Sequence, residues 1–220
     1  MSAYARLMGV KLQTVDLDLY APSAESSALL EWASRTGVRI VKRPKPRTLP
    51  VTVLEWRGEE IDVLSSSRGL PPPDVAISLG RDFVLEPDGL SIPVADPFHL
   101  LANKMAIRRP KDLPHIEILR RFVEEEVVEA FRCEEKPRDR LAPANRLLDA
   151  LGKEALEPEL FDRLVPLARI PSDYRFLAHR APGARHVERL AERLRVEGEL
   201  ALEAEISSIA AKRAEEAHLG

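Results

Sequence analysis

Asp16, Asp18 and Asp62 are the residues of this sequence best suited to chemistry. The first two sit in TVDLDLY (14–20), where carboxylates alternate with Leu17 and Leu19. On a strand, residues i and i+2 share a face, so Asp16 and Asp18 project together and Leu17 and Leu19 are expected in the core. Two close carboxylates repel unless a cation stands between them. Hard oxygen donors of this kind suit magnesium, which binds one or two carboxylates together with phosphate oxygens. Alone, such a pair is more often the polar side of a half-exposed strand. A third carboxylate shifts the balance. In EEIDVLSS, Asp62 lies between Ile61 and Val63, and a neighbouring antiparallel strand would bring it beside the pair. Glu59 and Glu60, nearer the turn, read as solvated. Three carboxylates on adjacent strands make a two-metal centre chemically possible, in which one metal can activate a hydroxyl and the other can hold a triphosphate.

The elements that must position these groups follow from pattern. Residues 2–8 read as a short helix stopped at Gly9. A strand over 14–20 precedes a helix capped by Ser23 and ending at Gly37. VRIVKR is a second strand, and two more cover 51–56 and 60–65, joined by Arg57-Gly58-Glu59. RGLPPPD (68–74) is a rigid loop. FVLEPDGLSIPVAD is a hairpin with Pro87-Asp88-Gly89 at its tip. Asp96-Pro97 opens a helix as cap and first-turn proline. A longer helix covers KDLPHIEILRRFVEEEVVEAF, with Pro114 tolerable near its start. Helices follow over LAPANRLLDALG, PELFDRLVPLARI and about 184–217. There Val187, Leu190, Leu194, Leu202, Ile206 and Ile209 form one stripe, read as packing within a bundle or against a partner.

Composition narrows the classes. The chain has 220 residues, is 45% hydrophobic and 31% charged, and carries a net charge of -3, so no global field attracts nucleic acid. The basic segment KRPKPR (42–47), which includes Arg47, is a local exception. It can touch a nucleic-acid backbone, although a solvated loop is commoner. Only 5% of residues are aromatic, which disfavours a general nucleic-acid-binding protein. Eighteen prolines exceed the usual share of about 5% and cluster between 44 and 114, suggesting an irregular middle. The single Cys133 excludes a disulfide framework and fits a reducing, cytoplasmic setting; no signal peptide or membrane span is visible. His99, His115, His179, His186 and His218 lack metal-ligand spacing, and Pro182-Gly183 separates His179 from His186. Neither a P-loop nor a G-x-G-x-x-G dinucleotide motif is present.

TVDLDLY, IDVLSS and DPFHLLANKMAIRRPKD, in that order, resemble the nucleotidyltransferase superfamily that shares the DNA polymerase β catalytic fold, nearest its small prokaryotic abortive-infection and toxin-type members. The likeness spans roughly residues 2–120. It implies that Asp16 and Asp18 bind both metals, and that Asp62 binds the catalytic metal and helps activate the acceptor hydroxyl. It also implies that Ser2 stands at the family's phosphate-contacting Ser or Thr and that Lys104 reaches the nucleotide phosphates. Lys111 and Asp112, with Arg109 before them, match a supporting Lys-Asp pair. The glycines of the family's phosphate turn would fall at or before residue 1, so the chain is expected to begin inside that motif. By themselves, Lys104 also suits a snorkelling helix face and Asp112 a helix cap.

The expected fold is therefore α+β: a small mixed sheet with flanking helices over 1–107, then a helical domain over 108–220. The expected activity is transfer of a nucleoside monophosphate from an NTP to an acceptor hydroxyl on tRNA, a protein or a small molecule. The alternative is a catalytically inactive module of the same fold, binding a nucleotide or a partner in a toxin–antitoxin pair. The C-terminal helices are open to packing within the chain, in a dimer or against an antitoxin.

Overall fold

Proline-led helix starts and short period-two strands account for most of the architecture. The computed structural model describes residues 2–11, 16–23, 27–43, 51–85 and 89–219, without the side chains of Ser2, Asp16, Leu85 and residues 216–219. It is α+β and divides into two compact units, 1–122 and 123–220. The division falls inside a helix, later than the change of character at 107 suggested.

In the first unit, α1 (Ser2–Leu7) precedes β1 (Asp16–Tyr20), α2 (Ser27–Thr36), β2 (Arg39–Lys42), β3 (Val51–Trp56) and β4 (Glu59–Leu64). The strands form one mixed sheet in the order β1-β4-β3-β2. β1 and β4 run parallel, not antiparallel as expected from the sequence. Parallel neighbours need a long crossover connection, and α2 with β2 and β3 supplies it. β3 and β4 are an antiparallel hairpin whose connection is two residues rather than three. Arg57 (φ 54°) and Gly58 (φ 86°) both take positive φ, the requirement of the turn that matches strand twist.

One face of this sheet packs on α2 through Ala33, Val38, Leu54, Ile61 and Val63, with Leu29 and Ile40 alongside. Leu17 and Leu19 pair with Ile61 and Val63 and so face the same side. They do not enter the core, being 53% and 41% exposed. β1 is an edge strand, and a position at the sheet margin has covered neighbours on one flank only.

A short helix, α3 (Pro73–Ser78), begins inside the segment expected to be wholly loop. β5 (Arg81–Leu85) and β6 (Leu90–Val94) form the second hairpin; its tip residues 86–88 lie outside the described set. Tyr4 is fully buried, donates to the Ala95 carbonyl at 2.7 Å and meets Phe83 edge-on at 5.4 Å between ring centroids. It thereby fixes α1 to this hairpin. α4 (Pro97–Ile107) starts as expected, with buried Asp96 accepting from Phe98 N at 3.1 Å and His99 N at 3.3 Å. A 3-10 turn over Pro110–Asp112 leads into α5 (Leu113–Cys133). Pro73 and Pro97 both occupy helix starts, so the proline-rich middle is more regular than its composition suggested.

The second unit is helical: the last turns of α5, then α6 (Pro137–Leu151), α7 (Pro158–Leu164), α8 (Pro171–Arg180), α9 (Ala184–Glu197) and α10 (Leu200–Leu219). The long terminal stripe is two helices, because Gly198 (φ 82°) ends α9. Val187, Leu190 and Leu194 from α9 and Leu202 and Ile206 from α10 are buried within this unit, where α9 and α10 pack together. Arg140 on α6 lies at its centre, fully buried, bound through Nε (3.1 Å) and Nη2 (2.6 Å) to the equally buried Asp173 carboxylate. It also donates to the carbonyls of Glu134 and Leu167. Removing one partner of such a pair strands a buried charge. Asp173→Ala should lower the unfolding free energy by about 3–5 kcal/mol, and an Arg140→Met/Asp173→Leu pair should recover most of it, as urea denaturation would reveal.

Candidate functional site

The sheet register decides which carboxylates meet. Directly paired residues share a sheet face. Asp18 is opposite Asp62 and Asp16 is opposite Glu60, with adjacent strands about 4.8 Å apart. Asp16, Asp18, Glu60 and Asp62 therefore belong to the face turned away from the α2 core. Asp18 is exposed on the edge strand, and Asp62, one strand in, is half-buried. The backbone supports Asp16 as a member; its side chain lies outside the described residues, as does that of Ser2, whose expected phosphate contact is in the same position.

Glu60 is the residue that sequence reasoning set aside. It is exposed, as expected, yet the parallel register puts it on the carboxylate face, while Glu59 pairs with Trp56 on the opposite one. Its period-two relation to Asp62 was the available signal. Continuing across the sheet, Asp62 pairs with Val53 and Val53 with Lys42, while Glu60 pairs with Glu55 and Glu55 with Arg39.

The segment after β4 is tied to its neighbours. The Tyr20 hydroxyl donates to the Pro71 carbonyl at 2.9 Å, and burial pushes its pKa up. Buried Asn103 of α4 donates to Ser67 Oγ and to the Arg68 carbonyl, both at 2.7 Å. Gly69 (φ +77°) passes so close to α4 that a Cβ would stand 2.6 Å from the Ala102 carbonyl oxygen. The loop leaving the Asp62 strand is thus fastened to α4 beside Lys104. No local pattern signals this contact, which joins residues more than 30 positions apart.

Lys104, Arg109 and Asp112 come together. Asp112 is fully buried. Its carboxylate accepts from Arg109 Nε at 2.7 Å, Arg109 Nη2 at 3.1 Å and Lys104 Nζ at 3.2 Å, and from the Arg109 backbone N at 3.3 Å. Arg109 foremost, with Lys104, holds the carboxyl far below the usual carboxylate range against the opposing effect of burial. Asp112 therefore caps its own 3-10 turn and anchors two cations. Lys111 stands apart on the surface.

Elsewhere, Cys133 is exposed and donates to Glu129 Oε1 at 2.8 Å, which pushes its thiol up and away from the reactive thiolate. His179 and His186 lie on separate helices, α8 and α9. A groove lined by Arg169, Ile170, Tyr174, Glu197 and Leu202 belongs to the second unit and includes none of the expected site residues. Among the described residues no group of three His, Cys, Asp or Glu side chains is arranged to hold a metal ion, and no helix is long and apolar enough to cross a membrane. Comparison with protein-family models and with curated proteins finds no match to this chain.

The depressed Asp112 pKa sets a pH dependence. Its contribution to stability is complete above its unfolded pKa of about 3.9 and is lost as pH falls below that toward the native value. Asp112→Ala should cost about 1–3 kcal/mol near neutral pH, because Lys104 loses its buried partner while half-exposed Arg109 is resolvated. In urea titrations, Asp112→Asn should flatten the loss of stability between about pH 5 and pH 2 relative to the parent chain.

Proposed function

We propose that this protein is a magnesium-dependent nucleotidyltransferase of the DNA polymerase β-like superfamily, acting from its first unit. The observation that carries the reading is the parallel pairing that sets Asp18 directly opposite Asp62, with Asp16 on the same face. The donor set fits the metal: carboxylate oxygens on one face of adjacent strands, at a spacing of about 4.8 Å, suit a hard divalent cation that keeps part of its shell for phosphate and water. Asp16, Asp18 and Asp62 would hold two Mg2+ ions. When bound, these ions would lower the pKa of the acceptor hydroxyl and neutralise the triphosphate.

The chain's own groups supply the rest. The acceptor hydroxyl oxygen forms a bond to the α-phosphorus as the bond from that phosphorus to the β-bridging oxygen breaks, and pyrophosphate leaves. Asp62, half-buried where Asp18 is exposed, takes the hydroxyl proton. Lys104 serves the phosphates as a cation held ready by Asp112, and Arg109 shares that anchor. Most of the rate gain in such a site comes from fixed charges and positioning.

A second reading, a nucleotide- or partner-binding module without transfer, draws on one feature. Lys104 is only 12% exposed at its side chain and is engaged by Asp112, as a purely structural lysine would be. The two readings separate on incubation with Mg2+ and labelled NTPs in the presence of RNA or protein acceptors. Asp18→Asn and Asp62→Asn should each reduce transfer by at least about 10²-fold with the thermal unfolding midpoint little changed. Undiminished transfer in either variant rejects the catalytic assignment; nucleotide binding with no transfer by the parent chain selects the module.

A further inference from the structure

Asn103 lies in the middle of α4 and is only 7% exposed. Asparagine is a poor helix former, and a buried amide is costly unless its donors are matched. An apolar residue would serve packing alone at less cost. The amide has a specific use instead. Its Nδ2 donates to Ser67 Oγ and to the Arg68 carbonyl, both at 2.7 Å. Both acceptors belong to the segment 65–72, which joins β4 to α3.

That segment is also bound to β1. The Tyr20 hydroxyl donates to the Pro71 carbonyl at 2.9 Å and bonds the Ser67 backbone as well. Ser67 is therefore a shared residue, meeting Asn103 through its hydroxyl and Tyr20 through its main chain. Gly69 (φ +77°) allows the close approach, since a Cβ there would stand 2.6 Å from the Ala102 carbonyl oxygen. The groups so joined are neighbours of the candidate site. Asp62 precedes Ser67 on the strand side, Asp18 lies two residues before Tyr20, and Lys104 directly follows Asn103. A helix turns by about 100° per residue, so holding the Asn103 face against the segment fixes the face from which Lys104 leaves α4.

We infer that Asn103 is a positioning residue: acting through Ser67, it sets Lys104 relative to the carboxylate strands β1 and β4. The inference rests on the proposed reading in one respect, that Lys104 serves the nucleotide phosphates. A network with each donor and acceptor matched is rigid, and a misplacement of about 1 Å in such a site costs about 10²-fold.

A mutant cycle on Asn103 and Lys104 tests this, read by titration of a fluorescent NTP with the full chain in Mg2+ and by transfer from labelled NTP to RNA or protein acceptors. Asn103→Ala should weaken Mg-NTP binding by about tenfold and slow transfer. In a Lys104→Met chain the same change should cost about twofold or less, because the residue it acts through is gone. Ser67→Thr keeps the hydroxyl and should behave as the parent, whereas Ser67→Ala should lose part of the affinity. Circular dichroism should report an unchanged fold; where Asn103→Ala does not fold, Ser67→Ala carries the cycle. Parental affinity and transfer in a folded Asn103→Ala chain overturn the inference. So does an equal loss with and without Lys104, which would mark Asn103 as a general support of the fold. A parent chain that binds no nucleotide overturns both the inference and the transferase reading. Coupled loss of nucleotide affinity in a chain without transfer upholds the role of Asn103 and removes the transferase reading.

Discussion

Parallel pairing of β1 with β4 is the constraint on which the candidate site depends. Among the described residues β1 is five residues long, lies at the sheet margin and has one strand neighbour. Its register against β4 alone determines that Asp18 meets Asp62. A slip of one residue would turn every side chain of β1 to the other face. The apolar demand on that register is modest, since Leu17 and Leu19 remain half-exposed. Polar ties at its exit reinforce it: Ala21 N donates to the Leu64 carbonyl and Tyr20 reaches Pro71. The carboxylate pairing is therefore secured more by backbone bonds than by burial.

Charge in the first unit is arranged in opposed groups. The sheet face that bears the carboxylates on β1 and β4 ends in cations on β2. On α4, Lys104 is held by an acid that is itself held by Arg109. Such an anchor holds the lysine ammonium in place while leaving the local field positive, because one carboxylate faces two cations. In the second unit the buried Arg140–Asp173 pair makes three further hydrogen bonds to backbone, Arg140 donating to the carbonyls of Glu134 and Leu167 and Asp173 accepting from Arg169 N. Its satisfaction is a matter of stability.

The period-two alternation of DLDLY and EEIDVL was enough to identify both strands and the shared face of Asp16 with Asp18 and of Glu60 with Asp62. The Asp96-Pro97 start and the Gly37 and Gly9 stops were equally legible, since caps and positive φ are local demands. Strand direction was not. Whether β4 approaches β1 parallel or antiparallel depends on the route of everything between them, and alternation carries no such information. The same limit hid the Asn103–Ser67 bond and the close passage of Gly69. Leu17 and Leu19 were read as core because pattern reports which face a residue takes, not whether that face is covered at the margin. The break at Gly198 was visible as a glycine, yet the stripe continues across it because α9 and α10 both bury their apolar sides in one unit.

The central claim, that Asp18 and Asp62 act together on a metal, is met most directly by anomalous scattering from crystals of the full chain grown with Mn2+ and a non-hydrolysable NTP analogue. The expected result is a manganese peak within coordination distance of both the Asp18 and Asp62 carboxylates. An ordered analogue whose manganese binds elsewhere, with Asp18 and Asp62 contacting neither, would contradict the claim.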